Sequence, residues 1–214
     1  MKLPLRGTMV LAAAWLAVIA LAWLAVPMFR TTSVDDELAG ILTPQAIDIE
    51  PFELVDEQGL PFTRDGLGGR WTFVFFGYTF CPDICPTTLA ALTSTLRELD
   101  AVGIGAGDVQ VVFVSVDPER DTAEHLARYL DFFAGELRAK FTGVTGPPDA
   151  IAALARQFGA MYRKEEPETS GGYFVSHTGS IFLTSPRAEL VAVIPPPHQP
   201  PALAELFGRI RAAI

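Results

Sequence analysis

The chain has 214 residues, half of them hydrophobic and a tenth aromatic, which is apolar material for one full-sized core and not for two. Residues 1–30 carry Lys2, Arg6 and Arg30 and no acid, so the remainder holds 13 bases against 25 acids, a balance of −12. That acidity excludes a nucleic-acid partner, which demands basic surface, and suits a basic protein partner or the plain solubility of an exported domain.

Between Met9 and Phe29 no side chain ionises, and the run is long enough to cross about 30 Å of hydrocarbon as a helix. The sequence therefore predicts a cytoplasmic tail over residues 1–8 and a transmembrane anchor over 9–29, with Lys2 and Arg6 holding the tail inside and sending the rest across. A cleaved signal peptide is the competing reading, given Ala22 and Ala25, but its apolar core is usually only about 7–15 residues. No cysteine closely follows the span and no Arg- and Ser-rich transit segment precedes it, so neither a lipid anchor nor organelle import is indicated. The expected location is a bacterial inner membrane, crossed once, with the C-terminal domain in the periplasm.

Residues 30–49 read as a linker, with a Thr31-Thr32-Ser33 start, the acids Asp35, Asp36 and Glu37, and no sustained apolar period. The domain is expected over 50–214. Phe52–Val55 and Leu60–Phe62 flank a turn at Glu57-Gln58-Gly59 and read as a hairpin. Trp71–Phe76 and Val109–Ser115 are nearly all apolar, as strands buried on two faces of a largely parallel sheet are. A helix from Pro86 to about Leu99 separates them. Thr122 can cap a helix to about Phe133, and another from near Asp149 puts Ile151, Leu154, Ala155 and Phe158 on one face. Ser180–Leu183 and Leu190–Ile194 bracket Ser185-Pro186-Arg187 as an antiparallel hairpin, and a terminal helix uses Leu203, Leu206, Ile210 and Ile214. Strand, helix, strand, helix, hairpin and helix is the thioredoxin-like order: an α/β fold with a central mixed sheet flanked by helices.

Chemistry concentrates where the first central strand ends, in Gly77-Tyr-Thr-Phe-Cys81-Pro-Asp-Ile-Cys85-Pro86, which holds both cysteines of the chain. Each cysteine precedes a proline and is biased away from helical angles, so the segment should be a loop feeding a helix with Pro86 at its first position. Cys85 would then sit at the helix cap, where the positive end of the dipole favours a thiolate. A plain structural disulfide is the bland alternative, but so short a loop would stabilise weakly.

A redox dithiol and a metal pair both remain, and His177 is the residue that separates them. It lies in Tyr173-Phe-Val-Ser-His177, before the C-terminal hairpin, and in a thioredoxin-like fold that connection lies beside the cysteine loop. His125 and His198 read as solvated. Two thiolates and an imidazole form a soft three-donor set suited to Cu(I), and to Cu(II) with rearrangement or a water. Structural zinc would ask for a fourth donor, for which Asp83 is the candidate.

The cysteine loop, Ser115-Val-Asp-Pro-Glu-Arg-Asp-Thr122 and the downstream Phe-Val-x-His together resemble the Sco/SenC family over roughly residues 50–214. The resemblance implies a membrane-anchored, thioredoxin-fold copper chaperone that assists assembly of the binuclear copper centre of cytochrome c oxidase. It implies Cys81, Cys85 and His177 as copper ligands, with the cysteine pair able to cycle between dithiol and disulfide. Its implied partners are the copper-receiving oxidase subunit, other copper chaperones and thiol reductases. Asp117 and Asp121 match the second motif, where a turn at Asp117-Pro118 and a helix cap at Asp121 or Thr122 would explain them without chemistry. Ser176 stands where the family commonly has aspartate, and Ala123 where it has proline. The nearer rival is a thiol-disulfide oxidoreductase, against which three residues between the cysteines and a histidine in place of a cis-proline argue. The more distant one is a peroxidase, for which the activating Thr and Arg are not evident.

Overall fold

The computed structural model describes Trp15 and residues 38–104, 107–165 and 172–214. Apart from Trp15, the anchor expected over 9–29 lies outside the described residues, among which no helix is long and apolar enough to cross a membrane. The chain divides into two units, Met1–Gly40 and Ile41–Ile214; the second carries the fold.

Its strands are β1 (Leu42–Asp48), β2 (Glu53–Asp56), β3 (Pro61–Thr63), β4 (Trp71–Gly77), β5 (Val109–Ser115), β6 (Phe141–Thr145), β7 (Tyr162–Glu165), β8 (Phe174–His177), β9 (Ile181–Thr184) and β10 (Glu189–Ile194). The helices are α1 (Ile84–Ala101), α2 (Ala123–Ala134), α3 (Pro148–Phe158) and α4 (Pro200–Ala213). Eight strands form one mixed sheet in the order β1-β10-β9-β4-β5-β6-β2-β3, with β4, β5 and β6 parallel, and β7 and β8 pair separately. Every residue of β4 and β5 is buried, as two-sided cover demands. Period-two alternation sends Phe73 and Phe75 to one face, against Phe207 of α4 and Phe113, and Phe76 to the other, against Phe158 of α3.

Several expectations need correction. Leu42–Asp48, read as part of the linker, is an edge strand antiparallel to β10, so the sheet begins before Glu50. The sequence reading contained neither β6 nor the β7–β8 pair. In α4 the buried stripe is Leu203, Phe207 and Ile210; Phe207, not Leu206, meets Trp71 and Phe73, and Ile214 is half exposed.

Candidate metal centre

β4 ends at Gly77, where a Cβ would stand 2.8 Å from Cys85 Sγ and 2.8 Å from Phe113 Cε2. Only glycine lets the sulfur lie against the strand end. The chain then crosses the cysteine loop and enters α1 at Ile84, with Asp83 at the N-cap. The helix therefore starts slightly before Pro86, and Cys85 lies within its first turn instead of at the cap.

Both cysteines are free thiols, Cys81 half-buried and Cys85 fully buried. Cys85 N is 3.5 Å from Cys81 Sγ, toward which it donates, and Cys85 Sγ lies 3.3 Å from His177 Nε2. His177 ends β8, with its ring edge-on to Phe75 and Tyr78 at 5.9 and 5.8 Å. Its Nδ1 is 3.1 Å from the Thr178 carbonyl. A carbonyl only accepts, so the proton is assigned to Nδ1, which leaves the Nε2 lone pair facing the sulfurs.

The sulfurs of Cys81 and Cys85 and a ring nitrogen of His177 all lie within 4.8 Å of one another. Metal–nitrogen and metal–sulfur bonds of about 2.0–2.3 Å place trigonal donors about 4 Å apart, so one ion fits after a small adjustment that lengthens the 3.3 Å Cys85–His177 pair. Among the described residues the cluster stops at these three; Asp83 is exposed and outside it, which disfavours a closed four-donor zinc site.

The thiols are unequal. The hydrogen bond from the Cys85 thiol, with the backbone N–H groups of Asp83 and Cys85, pulls Cys81 well below the ordinary thiol range, to about 3. Cys85 is pushed the other way, by sharing its proton with Cys81 and by burial. The sequence had placed the easier thiolate at Cys85 on the strength of the helix dipole; burial beside a neighbouring thiolate outweighs that dipole.

Neither remaining histidine belongs to the cluster, and neither is solvated as expected. His125 is half-buried with its ring against Phe80. His198 is half-buried with Nε2 3.0 Å from the Gly179 carbonyl, and burial lowers its pKa.

The second motif does more than cap and turn. Thr122 is the cap of α2, accepting from His125 N. Asp121, fully buried, instead accepts from Thr79 N at 3.0 Å, Thr79 Oγ1 at 2.6 Å and Ser115 Oγ at 2.6 Å, which ties the cysteine loop to the end of β5. Asp117 accepts from Tyr173 Oη at 2.6 Å and from Arg120 Nε. Arg120 in turn donates to the Tyr173 carbonyl and stacks 3.8 Å over that ring. One carboxylate thus holds the cysteine segment and the other holds the lead into the His177 strand. Pairwise spacing along the chain carries no signal for these contacts, which depend on the fold.

Residues 42–211 match the SCO1/SenC family. A mitochondrial SCO1 homolog 1 of Arabidopsis thaliana is 39% identical over 142 residues, 66% of this chain and 40% of that one. The chain thus spans less than half the length of that relative. Copper-bound ScoI of Arabidopsis thaliana is 33% identical with a TM-score of 0.70, covering 77% of this chain and 98% of that one. Copper-bound ScoI of Bradyrhizobium japonicum is 32% identical with a TM-score of 0.65, covering 78% and 99%. BsSco, a member of the Sco family of cytochrome c oxidase assembly proteins, shares the fold at 22% identity and a TM-score of 0.62, covering 81% and 96%.

Proposed function

The chain belongs to the SCO1/SenC family, and from that premise we propose that it is a membrane-anchored copper chaperone for the binuclear copper centre of cytochrome c oxidase. The observation that carries this is the convergence of Cys81, Cys85 and His177 within 4.8 Å, a donor set of the softness Cu(I) prefers; relatives about one-third identical hold copper. In this reading those three residues are the ligands, the apolar run from Met9 to Phe29 is the anchor in a bacterial inner membrane, and the domain works in the periplasm. Its partners are the copper-receiving oxidase subunit, other copper chaperones and the thiol reductases that keep the cysteines reduced.

A second reading, thiol-disulfide exchange, is favoured by the low-pKa Cys81 beside the protonated Cys85. Cys81 thiolate would attack a partner disulfide, and Cys85 would release the mixed disulfide, leaving the partner with two thiols and this chain with a disulfide.

His177 divides the two. Exchange needs only the sulfurs, whereas delivery needs all three donors. Cu(I) titration of the reduced protein should show one ion bound. Cys81→Ser and Cys85→Ser should cost more than the about 10–100-fold typical of outer-shell changes, and His177→Ala less than either cysteine change. His177→Ala should keep disulfide exchange within about tenfold of the parent while oxidase maturation in cells collapses. Oxidase activity equal to the parent's in the His177→Ala strain under limiting copper would overturn delivery and leave exchange.

A further inference from the structure

A groove of about 840 Å³ runs between α3 and β7 and reaches the candidate centre from its histidine side. Its apolar lining includes Ala152, Ala155, Ala160 and Met161, the last 77% exposed, and His177 forms part of its wall. Two guanidinium groups, Arg156 and Arg163, also line it, a local exception in a region with a charge balance of −12. Arg163 is engaged by Glu165 at 2.9 Å. Arg156 is exposed and has no ion-pair partner among the described residues. β7 pairs with β8 and with no other strand among the described residues, so its main chain can accept an added extended segment.

We propose that this groove docks the copper-accepting protein, taking an extended segment of it whose apolar side chains cover the alanine floor and whose carboxylate pairs with Arg156. The inference rests on the delivery reading and adds the direction of approach. An acceptor seated there meets the metal from the His177 side. The imidazole is then the donor displaced, and both sulfurs still hold the ion while the acceptor's first ligand bonds. No electron moves in this step: one metal–nitrogen bond breaks and one metal–acceptor bond forms.

The test uses the full chain loaded with one Cu(I), mixed with the apo copper-receiving domain of cytochrome c oxidase. Arg156→Glu removes the cation at an exposed position where folding is not at risk, and Ala152→Trp fills the floor. Both should bind Cu(I) within about twofold of the parent and pass it on about tenfold more slowly, the loss expected for one charge-assisted hydrogen bond. Phe132→Ala, 82% exposed on α2, is the comparison and should transfer at the parent's rate. Parent-like transfer by Arg156→Glu and Ala152→Trp, or equal slowing by Phe132→Ala, overturns the groove. A dimer of the chain alone that Arg156→Glu dissociates assigns the groove to a second copy and also overturns it. A parent that binds Cu(I) and passes none sinks the delivery reading itself, a failure distinct from that of the groove variants alone.

Discussion

Replacing Asp121 by asparagine should loosen the cysteine loop without touching a donor atom. Three donors converge on the carboxylate: Thr79 N and Ser115 Oγ on Oδ2, and Thr79 Oγ1 on Oδ1. Asparagine can keep its oxygen toward Thr79 N and Ser115 Oγ, but its NH₂ then faces Thr79 Oγ1, whose hydroxyl must turn round to accept. The charge assistance of three bonds is lost, at least one bond's worth of about 1.5–3 kcal/mol, and the reversed Thr79 hydroxyl gives up its donation to an anion. The expected cost is about 2–4 kcal/mol of stability, or roughly 5–15 °C in Tm for a unit of this size. Because Thr79 stands two residues before Cys81, the loop relaxes at the site, and Cu(I) affinity should fall by about 10–100-fold, the range for groups that orient a ligand. Thermal unfolding and Cu(I) competition titrations read both effects. Thr79→Val combined with Asp121→Asn then asks whether the two residues act together; their coupling should exceed about 0.5 kcal/mol. Additive costs, or Asp121→Asn with the parent's Tm and copper affinity, would refute the idea that Asp121 works by holding Thr79.

The thiol asymmetry predicts that iodoacetamide labels Cys81 of the reduced, copper-free protein at a rate nearly flat from about pH 5 to 8, while buried Cys85 labels slowly; equal labelling with a common rise near pH ~8.5 would refute it. In stability terms the Cys81 pKa is depressed on folding, so its contribution is complete above the unfolded value near ~8.5 and is lost as pH falls toward about 3. A reporter fused after Thr31 should be active only outside the cytoplasm, with the protein in the membrane fraction; release of a shortened soluble form would sink the anchor.

The central strands were legible because two-sided burial leaves an unbroken apolar run, as in Trp71–Phe76 and Val109–Ser115. The elements that escaped lack that signature for physical reasons. β1 is a sheet edge whose residues are half-buried or exposed, so it shows little apolar period, and an edge tolerates Pro44. β7 reads Tyr-Arg-Lys-Glu and is largely exposed, and its partner β8 is four residues long with only Val175 buried. β6 contains Thr142 and Gly143; the glycine is required because a Cβ there would stand 2.9 Å from Leu130 Cδ1, a packing constraint with no local sequence trace. At the site, the three converging residues were readable from motif and topology. The inversion of the two thiols and the tie from Asp121 to Thr79 were not, since both depend on burial that only the assembled fold creates.

One donor, Cys85, is held deeper than the other two, which are both half-buried, and that inequality fits the delivery reading, in which the ion must be released as well as bound. Cys85 is fully buried within α1, its sulfur pressed against Gly77 and Phe113, so withdrawing it would disturb the end of the central strand. Cys81 is half-buried in the loop and bonded to Tyr78 by its backbone N–H at 3.3 Å. His177 sits on a two-stranded sheet separate from the main one, and its lead-in is fixed by the Tyr173–Asp117 bond and the Arg120 stack. Segments with fewer buried contacts open at lower free energy, and an imidazole bonds a soft cation less strongly than a thiolate does. In the delivery reading both factors point to the same donor leaving first, so an incoming ligand would replace the imidazole while two sulfurs would keep the ion from solvent. Cys81, the more accessible sulfur, would follow, and Cys85 would be last. A site with three equally buried donors would bind as well and deliver more slowly.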